Sequence, residues 1–264
     1  LAKVDISLTT PAGEVLDKSL NLPIQQNDPE VSRTSRFELA SGQSFMFSRD
    51  VFTGLESGTG KATLALGPLG RFDVPGLLAA LDRYPYGCTE QTTSRALPLL
   101  YFDEVARAMG LEESADPRSR VEGAIPRILA RQSASGAFGL WYPGDSDFWL
   151  DAYVTDFLSR ARGQGYEVPA IAFRNALDNL RNQVNYASDF DEGGESIAYA
   201  LMVLAREGAA SMGDLRYYAD VKADAFTTPL GAAQLGAALA LYGDPTRADA
   251  MFARAAAQLA AATG

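Results

Sequence analysis

FWLDAYVTDFLSRARG, residues 148–163, is the stretch on which the fold turns. Trp149, Tyr153, Val154, Phe157 and Leu158 recur at spacings of three and four, which places them on one face of a helix. Its last part, Phe157 to Gly163, rhymes with LMVLAREG at 201–208, and Leu239 to Gly243 is a looser echo. A period of about 40 residues suits a helical hairpin used as a repeat unit. Stacked hairpins make either a solenoid or a closed α/α toroid.

Moving outward, Asp116-Pro117, Thr228-Pro229 and Asp244-Pro245 each place a capping side chain before a proline at the first helical position. Gly110, Gly136, Gly163, Gly208 and Gly243 supply stop signals. Periodicity predicts about nine helical segments from Asp73 onward. One of them runs from Thr89 to Met109 and is bent at Pro98, whose ring removes a helical hydrogen bond.

Before Asp73 the period is two. Val4, Ile6 and Leu8 alternate with Asp5, Ser7 and Thr9; Pro11-Ala12-Gly13 reads as a turn, and Val15 to Ile24 resumes strand-like composition. The pairs Phe37 and Leu39, Phe45 and Phe47, and the run Ala62, Leu64 and Leu66 repeat the alternation. The expected fold is therefore mainly α, with a small antiparallel β unit over residues 1–70 and a helical array over residues 71–264.

Composition narrows the function. Of 264 residues, 47% are apolar, enough for a packed core. The net charge of −10 disfavours nucleic acid, which needs clustered Lys and Arg, and disfavours direct contact with an anionic membrane. No apolar run reaches the roughly 18 residues needed to span a bilayer. Histidine is absent, so no Ser–His or Cys–His catalytic pair exists and the usual zinc sites are excluded. No cofactor or metal is expected.

Cys88, the sole cysteine, lies in Tyr84-Pro85-Tyr86-Gly87-Cys88-Thr89-Glu90-Gln91 at a loop-to-helix junction, where a helix N-terminus favours a thiolate. Cys88 and Gln91 are three residues apart on the first helical turn and so are neighbours. The sulfur can attack the Gln91 side-chain amide carbon and expel ammonia, closing an internal thioester. A thioester lacks most amide resonance, so an amine that attacks the Gln91 carbonyl forms a stable amide and frees the thiol. Water competes, so the bond must be shielded. Tyr84 and Tyr86 are nearby candidates, joined by Trp141 and Tyr142, and the two tyrosines read equally as core aromatics. Glu90 either assists ring formation or simply favours the helix N-terminus.

The run from Pro85 to Gln91 resembles the thioester signature of the alpha-2-macroglobulin and complement family, and its extension through Ser94 is similar to the bacterial branch. Gln132, Gly136, Phe138, Gly139 and Trp141 resemble that family's Gln-then-Gly-Phe-Gly-x-Trp stretch, and Phe148 to Val154 resembles the helix that follows. Thr89 departs from the Gly of many animal members. The absence of histidine departs from members that transfer to hydroxyl groups; the comparable stretch here is around Tyr186–Asp191.

The resemblance implies an α/α toroid-like thioester domain inserted in a CUB-type β domain, of which residues 1–70 are the first part. It implies that the rest of that domain and the last toroid helices lie beyond Gly264. It implies a periplasmic or cell-envelope parent that traps proteases by acylating their lysines. Such a protein is a single-use endopeptidase inhibitor rather than a turnover enzyme, and its partners are the trapped proteases and the parent chain's other domains.

Two other classes stand beside this one. Asp145, Asp147, Asp151, Asp189, Asp191, Glu192 and Glu195 could serve an α/α-toroid carbohydrate-active enzyme as paired carboxylates, or they are caps and solvated loop positions. Gln132 to Trp141 reads as a staple between helices, which a purely structural repeat scaffold would also contain.

Overall fold

A computed structural model describes residues 2–22, 31, 33–35, 37–62, 64, 87–101, 117–144, 147–187 and 191–263. The chain divides into two compact units, Leu1–Val51 and Phe52–Gly264. The expected boundary between residues 70 and 71, and the helix expected from Asp73, lie outside the described residues.

In the first unit β1 (Ala2–Thr9) pairs antiparallel with β2 (Val15–Leu22), Val4 opposite Leu20 and Leu8 opposite Leu16. Gly13, at φ 86°, makes the turn between them, and its N–H bonds the Thr10 carbonyl. The alternation at Phe37, Leu39, Phe45 and Phe47 does not form strands. Those side chains stay 43–48% exposed, so burial adds nothing to favour strand pairing there, and unlike β1 and β2 they have no ladder partner among the described residues. The Phe37 and Phe45 rings stack on each other instead, 4.3 Å apart.

The described part of the second unit holds eight α-helices: α1 (Thr89–Ala96), α2 (Pro117–Leu129), α3 (Phe148–Gly163), α4 (Ala170–Tyr186), α5 (Glu195–Arg206), α6 (Met212–Asp220), α7 (Pro229–Leu241) and α8 (Pro245–Thr263). Odd helices pack in series, α1 on α3, α3 on α5 and α5 on α7. Even helices back them, α2 on α1, α4 on α3 and α5, and α8 on α7. This is the helical-hairpin array predicted by the repeat.

The physical basis of the repeat is a shared ending. Past α3, α5 and α7 a backbone N–H reaches five residues back: Tyr166 to Ala161, Ala209 to Leu204 and Asp244 to Leu239. A glycine at positive φ precedes each of these donors: Gly165, Gly208 and Gly243. That is the Schellman ending, which satisfies orphan carbonyls and requires a left-handed residue. Gly136 ends no helix; it sits in the loop after α2 at φ 94°, where a Cβ would lie 2.0 Å from the Asn175 carbonyl oxygen.

The starts are capped as expected at Thr228, whose Oγ1 accepts from Gly231 N–H, and at Asp244, whose Oδ1 accepts from Arg247 N–H. The helix from Thr89 is shorter than expected. It stops at Ala96, where Leu97 N–H makes the last bond to Thr93, and Pro98–Tyr101 continue as a 3-10 turn. Proline ends this α-helix rather than bending it, and residues 102–109 of the expected helix lie outside the described residues.

Two apolar clusters fill the unit. One, with Ala96, Leu99, Ile128, Phe138, Val154, Phe157 and Phe173, joins α1 to α4. The other, with Leu180, Leu201, Leu204, Leu215, Phe226, Leu235 and Leu239, joins α4 to α8. Asp156 is buried between charges and hydroxyls: it pairs with Arg160 and Arg206 and accepts from the Tyr199 hydroxyl at 2.8 Å. Burial and the Asp156 charge push the Tyr199 phenol up.

Candidate functional site: the Cys88 turn

Cys88 is the N-cap of α1, in extended conformation, and is 4% exposed. Its Sγ accepts the Gln91 N–H at 3.4 Å. Thr89, Glu90 and Gln91 are the first three helical residues, so Cys88 and Gln91 hold the N-cap and N3 positions of a capping box. In that motif the N3 side chain reaches back to the cap. Gln91 Oε1 is buried and finds no hydrogen-bond donor among the described residues. An amide oxygen so placed costs about 1–3 kcal/mol. A thioester oxygen is a weaker acceptor and tolerates the same pocket better.

The turn is gripped from the loop that follows α2. Thr89, fully buried, donates its N–H to the Leu140 carbonyl at 2.9 Å and its hydroxyl to the Gly139 carbonyl at 2.6 Å. Arg131 brackets the cysteine from the other side, donating Nη2 to the Gly87 carbonyl at 2.5 Å and Nη1 to Thr89 Oγ1 at 3.5 Å. The gripping loop closes on itself through Ser133 N–H to Ala137 O and Gly139 N–H to Arg131 O. Gly139 has no alternative residue there, since a Cβ would meet the Tyr142 carbonyl oxygen at 1.7 Å.

Glu90 faces α3. Ser94 donates to Glu90 Oε1 at 2.6 Å, so the Tyr153 hydroxyl, 2.9 Å away, donates to Ser94. Burial pushes the Tyr153 phenol up; the Ser94 bond opposes this, and the charges of Glu90 and Asp156 add to it. Trp149 stacks on Tyr153 at 4.9 Å. Trp141 and Tyr142 lie just past the gripping carbonyls and are 50% and 80% exposed. Tyr84 and Tyr86 lie outside the described residues.

Two of the candidate carboxylates serve local structure. Asp147 is the N-cap of α3, accepting from Leu150 N–H at 2.7 Å. Asp151, fully buried, accepts from Phe138 N–H at 2.6 Å, Asn179 Nδ2 at 2.9 Å and Gln183 Nε2 at 2.8 Å. It is neither cap nor solvated, an arrangement that composition alone did not reveal. Asp145 and Asp189 lie outside the described residues. Among the described residues no His, Cys, Asp or Glu cluster could hold a metal, and no helix is long and apolar enough to cross a membrane. Gln132 does staple helices, donating Nε2 to Ala172 O at 2.9 Å.

The model of the A-macroglobulin TED domain matches residues 63–204, more than half of the chain. The chain belongs to that family. The match takes in the Cys88 turn, the gripping loop, helices α1 to α4 and most of α5. The chain is 34% identical over 82% of its length to alpha-2-macroglobulin of Escherichia coli strain K12, and it spans 14% of that protein's length. Among solved structures, trypsin-activated alpha-2-macroglobulin from Escherichia coli superposes with a TM-score of 0.58 at 35% identity, over 65% of this chain and 13% of that one. Salmonella alpha-2-macroglobulin reacted with methylamine superposes with a TM-score of 0.60 at 32% identity, over 69% of this chain and 12% of that one.

Proposed function

We propose that this A-macroglobulin TED domain carries an internal thioester between Cys88 Sγ and the Gln91 side-chain carbonyl, and that its parent uses the bond to trap proteases. The observation that carries the reading is the capping geometry: Cys88 Sγ accepts the Gln91 N–H at a buried N-cap, and Gln91 Oε1 is itself buried. Ring closure joins the side chains of the N-cap and N3 residues of one helix start, with loss of ammonia.

Opening is an acyl transfer. An uncharged lysine amine adds to the Gln91 carbonyl, the C–S bond breaks, and the amine's proton ends on the Cys88 sulfur or in solvent. One turnover consumes the site, so the domain is a single-use covalent trap. The solved relatives activated by trypsin and reacted with methylamine support both the trigger and the nucleophile class. Tyr84, Tyr86, Trp141 and Tyr142 are assigned to shielding the bond, and Glu90 to assisting ring formation. Residues 71–264 are assigned to the thioester domain, curving toward a toroid, and residues 1–70 to part of a CUB-type module. The parent is placed in the bacterial periplasm or cell envelope, with its other domains and the trapped protease as partners.

Intact mass tests the bond. Freshly purified wild type should fall about 17 Da below the sequence mass and should gain one methylamine on treatment. A protein at full sequence mass that takes up no methylamine overturns the reading. Trapping is tested in the parent: protease adducts that survive denaturation are expected, and their absence removes the inhibitory role.

A further inference from the structure

We infer that Asp151 is a positioning residue for the Cys88 turn, acting through the backbone of Phe138 to Leu140. This deepens the thioester reading and rests on it.

The path is continuous. Asp151 Oδ2 is held by Asn179 and Gln183 from α4, which leaves Oδ1 aimed at the loop. Oδ1 accepts the Phe138 N–H at 2.6 Å. The next two carbonyls, of Gly139 and Leu140, are those that accept from Thr89. Thr89 is bonded to Cys88, whose Sγ must meet the Gln91 carbonyl for the ring to close. One fully buried carboxylate thus fixes the height of a three-residue strut, and the strut fixes the cysteine.

The choice of a carboxylate supports a positioning role. A staple between α3 and α4 would be served by an apolar pair at no desolvation cost. The Phe138 N–H, Asn179 Nδ2 and Gln183 Nε2 each bond Asp151 as donors, one of them a backbone N–H that cannot rotate away. A carboxylate accepts from all three at once, and charge-assisted bonds are shorter and stronger than neutral ones. The Phe138 side chain is itself fully buried in the cluster of α1 to α4, so the backbone N–H it presents is anchored from both sides.

The test compares Asp151→Ala with Asp151→Asn. Asparagine keeps an acceptor for Phe138 N–H, and alanine removes it. Three readouts follow: hydrogen exchange at the Thr89 amide, iodoacetamide alkylation of Cys88 after methylamine opening, and the fraction of protein with the mass deficit of the ring. Asp151→Ala should speed Thr89 exchange by about tenfold or more. It should also speed alkylation and cut the ring-closed fraction several-fold, since misplacement by about an ångström costs reactions this much or more. Asp151→Asn should recover most of each. Amides within α3 should change far less than Thr89.

The inference fails if folded Asp151→Ala leaves Thr89 and Cys88 unchanged, or loosens α3 as much as Thr89. If Asp151→Ala does not fold, Gln183→Met decides. It removes one donor from Oδ2 and should shift Thr89 exchange in the same direction by about two- to threefold, and no shift overturns the role. A wild type without mass deficit or methylamine uptake would sink the thioester reading alone, because Thr89 exchange and Cys88 alkylation still report on the strut.

Discussion

Cys88 Sγ accepts the Gln91 backbone N–H at 3.4 Å, so the residue that would form the thioester is already the cap of the helix carrying its partner. A capping box joins N-cap and N3 side chains reciprocally through hydrogen bonds. Here the first of those contacts is made, from the Gln91 N–H to Cys88 Sγ, and Gln91 Oε1 is buried with no donor among the described residues. On the proposed reading Cys88 therefore has two separable jobs, capping and chemistry.

Substitution at Cys88 separates them. Cys88→Ser keeps an acceptor at the N-cap and Cys88→Ala does not, and losing a cap costs about 0.5–2 kcal/mol. With the ring opened in all samples, Cys88→Ser should match or exceed wild type in urea denaturation, and Cys88→Ala should be less stable by about 1 kcal/mol. Neither should bind methylamine. Equal stability of the two variants would show that Sγ contributes nothing as a cap.

Thr89 offers a second separation. Thr89→Val keeps the shape and leaves the Gly139 carbonyl without its hydroxyl donor, at a cost of about 1–3 kcal/mol. Thr89→Ser should restore most of that in the same denaturation series. A valine variant as stable as wild type would mean that the backbone bond to Leu140 holds the turn alone.

The buried Asp156 is a stability element away from the bond. Asp156→Ala strands Arg206, Arg160 and the Tyr199 hydroxyl, and breaking one side of a buried ion pair costs about 3–5 kcal/mol. Both arginines are partly exposed, which places the expected loss at about 3 kcal/mol or below. Tyr199→Phe should cost no more than about 1–2 kcal/mol. A loss for Asp156→Ala no larger than that for Tyr199→Phe would show that water satisfies the arginines.

Most of this was legible in the sequence where side-chain chemistry is local. The hairpin repeat was visible because α3, α5 and α7 end on the same backbone motif, bonded back to Ala161, Leu204 and Leu239; Gly208 and Gly243 were read correctly as its glycines, and after α3 the glycine is Gly165 rather than the expected Gly163. Cys88 and Gln91 were visible because both lie within one helical turn. The grip on Thr89 was not, because it uses the carbonyls of Gly139 and Leu140, about fifty residues away, and carbonyls carry no sequence signature. Asp151 was read among solvated acids because its partners lie on α4 and in the loop, beyond the reach of any local pattern. The strands expected around Phe37 and Phe45 failed for the opposite reason: the alternation was local and real, and no ladder partner among the described residues completed it.

Acid weakens the contact between the end of α6 and the first turn of α8. Hydrogen bonds from Arg247 hold the Asp220 carboxyl below its ordinary value of 3.8, with desolvation opposing. A depressed folded-state value means that the contribution is present above the unfolded value and is lost as pH falls through the folded one. Asp220→Asn should therefore narrow its stability gap to wild type as pH drops below about 4, and close it at lower pH. A gap independent of pH between 7 and 2.5 would remove the ion pair as its cause.

The last expectation concerns which nucleophiles open the bond. Members of this family that acylate hydroxyl groups use a histidine as the first acceptor of the acyl group, and this chain has none. Gln91 Oε1 has no hydrogen-bond donor among the described residues. Under those conditions the nucleophile must supply most of the driving force itself. Uncharged amines do so far better than water or sugar hydroxyls. A lysine near its reference pKa of about 10.4 is mostly protonated at neutral pH, so the free-amine fraction rises about tenfold per pH unit below that value. Methylamine uptake by the ring-closed protein should follow the same slope between pH 7 and 9. Glycerol at the same concentration should give no ester adduct by mass. A trapped lysine reaches a useful rate at neutral pH only because effective concentration replaces free-amine concentration. Uptake that is flat with pH, or glycerol adducts in comparable yield, would mean that a group in the site other than histidine activates the nucleophile, and direct attack would be ruled out.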